Sequence, residues 1–118
     1  MKSWNRESRE LKLRYDEQRA SINLEYNTKQ VQLTHDMDMA RNKLHYANQA
    51  LRSGEDVCAN KRVLDDAVGK LRDLGLEKVK LDYERKNALV ALDRQRNADI
   101  DALEAKYGVN LDEEGGEQ

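Results

Sequence analysis

The sequence predicts an all-α fold, a long antiparallel two-helix coiled-coil hairpin, and three observations lead to it. The 118-residue chain contains no proline and is rich in Ala, Leu, Glu, Lys, Arg and Gln, the composition of uninterrupted helix. Its apolar residues recur at helical spacing and never alternate for long as a strand would. A strong turn signal, Ser53-Gly54-Glu55-Asp56, falls near the middle.

The first helix is expected over 3–52. Written in elevens from Trp4, its rows are WNRESRELKLR, YDEQRASINLE, YNTKQVQLTHD and MDMARNKLHYA. One column then holds Trp4, Tyr15, Tyr26 and Met37, and another holds Leu11, Ile22, Leu33 and Leu44. An eleven-residue repeat makes three turns at about 3.67 residues each and gives a nearly straight or slightly right-handed coil. At ~1.5 Å per residue this helix would be roughly 75 Å long, a rod and not a globule.

The turn is placed at 53–56. Gly54 suits the left-handed position just past a helix end, and Ser53 or Asp56 can accept hydrogen bonds from the next helix's free N–H groups. The second helix is expected over 57–107. Its seam reads Leu64, Ala67, Leu71, Leu74, Lys78, Leu81, Arg85, Leu89, Leu92, Arg96, Ile100, Leu103 and Tyr107. The spacing begins as heptads and shifts to elevens near Arg85. Gly75 raises the alternative of a three-helix chain broken there. Nothing after Gly75 caps a new helix, and the two arms match in length only if the helix continues, so Gly75 reads as a weak point costing about 1 kcal/mol relative to Ala. Gly108 ends the helix, with Val109 folding back on Leu103. Residues 108–118 read as an acidic, flexible tail.

Folding at the turn pairs residues whose numbers sum to roughly 111, which sets Trp4 near Tyr107, Leu11 near Ile100, Ile22 near Leu89 and Met37 near Leu74. Arg96 and Arg85 then fall opposite Tyr15 and Tyr26, where a guanidinium stacked on a ring gains about 0.5–2 kcal/mol. The expected core is Trp4, Leu11, Tyr15, Ile22, Tyr26, Leu33, Met37, Leu44, Leu71, Leu74, Leu81, Leu89, Leu92, Ile100, Leu103 and Tyr107.

A second apolar stripe remains on the first helix: Leu13, Ala20, Leu24, Val31, Met39 and Tyr46, with Ala50 beyond. The second helix has a partial counterpart in Val68, Leu76, Val79, Tyr83 and Val90. Contiguous apolar surface of this kind marks an interface. The expected partner is a second copy, giving an antiparallel four-helix bundle, or another protein laid on the same face.

Chemistry is harder to find. His35 and His45 lie ten residues apart, about 80° apart around a helix and roughly 15 Å along it, so they cannot share a metal within it. Cys58 would open the second helix, where the dipole favours thiolate, but no second cysteine resolves it. The four internal glycines form no phosphate-binding loop. Carboxylates are interleaved with Lys and Arg as i,i+4 support, for example Glu10–Arg14 and Asp82–Lys86. No catalytic residue, cofactor, metal or small-molecule substrate is expected, and the chain reads as a non-enzyme.

Charge and hydropathy set the remaining bounds. A mean hydropathy of -1.01 leaves no room for a membrane-spanning run, and a single cysteine argues for a reducing, cytoplasmic setting. Residues 99–118 carry seven acids against Lys106, a balance of -6, so a chain of net charge -2 has a body of +4. Basic groups crowd the end of the hairpin away from the turn. Of these, Arg6, Arg9, Arg14, Arg94 and Arg96 are the candidate nucleic-acid contacts, though Glu7, Glu10, Asp16, Glu17, Glu84 and Asp93 are interleaved.

In outline the chain resembles the small antiparallel coiled-coil hairpins that serve as stalks, chaperones or adaptors in larger assemblies, and small phage-encoded helical proteins that dock on a host or virion component. The likeness is one of shape and size and carries no diagnostic residue. The function expected from the sequence is protein–protein interaction through a coiled-coil face, with nucleic-acid association the alternative.

Overall fold

The computed structural model describes residues 2–108, Lys2 by its backbone alone. It consists of two helices, α1 over Lys2–Arg52 and α2 over Val57–Tyr107. The acidic tail after Gly108, and with it the contact expected between Val109 and Leu103, lies outside the described residues.

Each boundary has a local cause. Gly54 has φ +74° and is the left-handed residue just past α1. The Glu55 N–H reaches back to the Ala50 carbonyl at 3.0 Å, and the Gly54 N–H to the Leu51 carbonyl at 3.1 Å. This crossed pair is the Schellman arrangement, and it satisfies carbonyls that the helix end would leave open. Asp56 also sits at positive φ, +31°, and its backbone carbonyl accepts the Asn60 N–H at 3.0 Å. The Asn60 side-chain amide donates to the Glu55 carbonyl at 2.8 Å, so the two helices are tied through the turn's backbone. At the far end of α2, Gly108 also sits at positive φ, +64°.

Helix α2 passes through Gly75 without a break. A Cβ added there would meet no atom within 4 Å. The glycine is therefore not needed for close packing, and the three-helix alternative has no basis in the structure.

The contacts gather into two compact units, one of residues up to Leu24 and from Arg85 on, the other Glu25–Glu84. In the Glu25–Glu84 unit, Leu33, Ala40 and Leu74 form a buried cluster, with Met37, Leu71 and Leu81 packed against it. Ala47 and Ala67 are buried as well. The buried α1 positions Leu33, Ala40 and Ala47 follow at sevens, so this unit uses heptad spacing from Leu33 onward. Elevens alone would have missed Ala40 and Ala47.

In the other unit Trp4 is 1% exposed and meets Tyr107 edge-on, with ring centroids 5.9 Å apart at 66°. Such a pair adds about 0.5–1.5 kcal/mol beyond the area it buries. It also sets the antiparallel register, because 4 and 107 sum to 111.

Two glycine substitutions separate turn from helix. Gly75→Ala is expected to raise stability by about 1 kcal/mol, since it restores helix propensity at an open site. Gly54→Ala is expected to lower it by about 1 kcal/mol, because alanine is strained at positive φ. Thermal melts followed by circular dichroism read both signs.

Candidate functional site

What the seam covers decides what is left exposed. Every expected core residue is buried or half-buried: Trp4, Tyr15, Leu33 and Leu74 buried, and Leu11, Ile22, Tyr26, Met37, Leu44, Leu71, Leu81, Leu89, Leu92, Ile100, Leu103 and Tyr107 half-buried. Lys78, expected in the same seam, is exposed, because its flexible stem can carry the charge out to water.

Polar pairs cross between α1 and α2 in the unit that holds Trp4. The Tyr15 hydroxyl donates to Asp99, and Arg19 pairs with Asp93. Arg85 Nη2 donates to Asn23 Oδ1 at 2.9 Å. Glu7 accepts from Lys106 Nζ at 2.8 Å and from the Tyr107 hydroxyl. The Lys106 and Tyr107 hydrogen bonds hold the Glu7 carboxyl below its usual range, and Glu7 in turn raises both partners. Donation to Asp99 likewise raises the Tyr15 phenol.

The structure corrects two expected pairings. The cations over tyrosine rings are neighbours on the same helix: Arg14 lies 5.7 Å from the centre of Tyr15, and Lys29 Nζ lies 5.1 Å from that of Tyr26. Neighbours reach a ring without a cross-helix fit, and Arg96, expected over Tyr15, lies beside Asp93 of its own helix. Glu10 pairs with Arg6 at 3.4 Å and not with Arg14, which turns instead toward Asp99 at 3.7 Å.

Those contacts also occupy the candidate nucleic-acid residues. Arg6 and Arg14 each face a carboxylate, and Arg96 lies 4.0 Å from Asp93 with its Nε buried and lacking a hydrogen-bond partner. Arg9 and Arg94 are exposed.

The second stripe lies on the surface. On α1, Leu13, Ala20, Leu24, Val31, Met39 and Tyr46 are all exposed, Leu24 at 69% and Val31 at 70%. On α2, Val57, Val68, Leu76, Val79, Tyr83 and Val90 are exposed, Val79 at 68%. Val57 was not part of the expected stripe, yet it begins a column of elevens, Val57, Val68, Val79 and Val90, that the sequence displays in full.

At about 100° per residue, Val31 and Tyr46 fall ~140–160° around α1 from the seam residue Leu33. Leu76 and Tyr83 fall ~160–180° around α2 from Leu74. In the Glu25–Glu84 unit, each helix thus turns one apolar face to its neighbour and a second away from it.

Among the described residues no group of three or more His, Cys, Asp or Glu could hold a metal ion. Cys58 is a free, exposed thiol, and His45 meets only the edge of Tyr46, at 5.8 Å between ring centroids. No helix of the described residues is long and apolar enough to cross a membrane. No family model, curated relative or solved structure matches this chain.

The Glu7 contacts give a pH dependence with a definite sign. A depressed carboxyl stabilises the fold above its unfolded value, ~4.3, and that contribution is lost as pH falls through the folded value. Acidification from pH 5 to 3 is therefore expected to lower the Tm of the wild type more than that of Glu7→Gln. Equal losses in both would detach Glu7 from the effect.

Proposed function

We propose that this chain is a non-enzymatic protein–protein interaction module, of the kind that serves as an adaptor, chaperone, inhibitor or assembly component. It acts through the outward apolar faces of its helices. The observation that carries the reading is the exposure of large apolar side chains along both helices of the Glu25–Glu84 unit: Val31, Met39 and Tyr46 on α1, and Leu76, Val79 and Tyr83 on α2. Single exposed apolar residues are ordinary, whereas a continuous row of them marks a binding surface. Each Val or Leu covered by a partner gains about 1.5–3 kcal/mol when fully buried, so four or five such residues suffice for specific association after its entropic cost.

Nucleic-acid association has less to stand on. Arg6, Arg14 and Arg96 each lie within 4.0 Å of a carboxylate, so acids are interleaved with the bases and lower the positive charge that a phosphate backbone would meet.

A photo-crosslinking amino acid in place of Val31 tests the reading in the cells that make the protein. The expected result is a covalent adduct to protein, lost when Met39→Glu is added. The Val31→Glu/Met39→Glu chain should keep its helical circular dichroism and melt within a few degrees of wild type. Loss of helix in that variant would make the face part of the internal core, and the absence of any protein adduct would remove the proposal.

A further inference from the structure

The two outward faces differ in charge, and the difference selects an occupant. In the Glu25–Glu84 unit, the α1 face from Val31 to Tyr46 runs Val31, His35, Asp38, Met39, Asn42 and Tyr46, with Asp38 its charged member at pH 7. The α2 face from Val57 to Tyr83 carries Lys61, Arg72 and Lys80 against Asp65. All of these charged side chains are exposed. Asp38 lies 3.2 Å from Arg41 of its own helix, an exposed contact that a partner's cation can replace at little cost. One face carries a single acid and the other a surplus of bases, so each complements the other better than itself.

The register agrees. Placing a second copy alongside, with its α2 against this α1 antiparallel and at the offset that seats Leu74 between Leu33 and Ala40 within the unit, opposes residues whose numbers sum to about 110. Val31 then meets Val79, His35 meets Leu76, and Asp38 meets Arg72. The same offset in the other unit, taken by itself, sets Ala20 against Val90 and Glu17 against Arg94.

We propose that the occupant of these faces is a second copy of this chain, bound heterologously, the α1 outer face of one copy on the α2 outer face of the next. The proposal rests on the interaction-module reading and names its partner. Because both outer faces lie across their helices from the seam, one such contact leaves a free face at each end. The contact is open, so a third copy can add where a closed four-helix bundle could not grow. The arrangement differs from the closed dimer expected from periodicity alone, which requires apolar faces about a right angle from the seam on both helices.

Sedimentation velocity on the full chain tests this with two variants, Val31→Glu and Val79→Glu, each at an exposed position that leaves the seam intact. The wild type is expected to gain mass with concentration beyond twice the 13.7 kDa chain. Either variant alone has one blocked face and should remain monomeric. Their equimolar mixture should form a heterodimer of twice the chain mass, joined through the one unblocked pair of faces, and stop there.

A variant that still dimerises alone would show like-with-like pairing and overturn the proposal. A wild type that stays monomeric at every concentration would overturn it as well. That last result leaves the interaction-module reading standing, because the crosslink from position 31 would then report a different protein. Circular dichroism on each variant confirms that the helices persist. Asp38→Arg and Arg72→Asp supply a second route: each should weaken association alone, and the two in one chain should restore it, whereas a hydrophobic contact without this register would show no rescue.

Discussion

Everything in this structure follows from how little two helices can cover of one another. A helix laid against a single neighbour buries one stripe, and only seven of the described hydrophobic residues are buried: Trp4, Tyr15, Leu33, Ala40, Ala47, Ala67 and Leu74. Ordering a residue costs roughly 1–2 kcal/mol of backbone entropy, so a seam this narrow must be continuous and well registered to hold. The two units meet that demand differently. In Glu25–Glu84 the seam includes small buried residues, Ala40, Ala47 and Ala67, which allow close approach of the helices. In the other unit, aromatic anchors and cross-helix polar pairs fix the register.

The narrowness of the seam also leaves the outward faces unclaimed. A chain that needed only a solvated back would carry Glu, Lys and Gln at Leu24, Val31, Val68 and Val79. It instead repeats apolar residues there with a periodicity as regular as that of the seam, the valines of α2 falling at intervals of eleven. Uncovered apolar surface contributes nothing to the fold of one chain and risks nonspecific association, so its regularity is best explained by a partner of matching helical repeat. In the assembly we propose, the acid–base difference between the two faces gives the contact a direction.

Much of this was legible in the sequence. The columns headed by Trp4 and Leu11 fall in the seam, Gly54 ends α1, and Gly75 is passed through because nothing beside it could cap a new helix. The alternation of seam and outward stripe was readable for the same reason, since a 3.6-residue period assigns faces without any knowledge of the neighbour. Ala40 and Ala47 were not, because alanine is a poor marker of burial and the switch from elevens to sevens at Leu33 shows only once the packing is known. The pairings of Tyr15 with Asp99 and Arg19 with Asp93 were also out of reach. They depend on side-chain rotamers across two helices, whereas the expected stacking of Arg85 and Arg96 on tyrosines rested on register alone.

The central claim is that each helix carries a covered face and an outward one, and Leu74-Gly75-Leu76 places one residue of each within three positions. Leu74 is 6% exposed and Leu76 is 65% exposed. Thermal and denaturant unfolding of Leu74→Ala and Leu76→Ala, measured side by side at low protein concentration, compares the two faces directly. The account predicts a loss of about 2–3 kcal/mol for Leu74→Ala and within about 0.5 kcal/mol of wild type for Leu76→Ala. Equal losses, or the larger loss at Leu76, would contradict it.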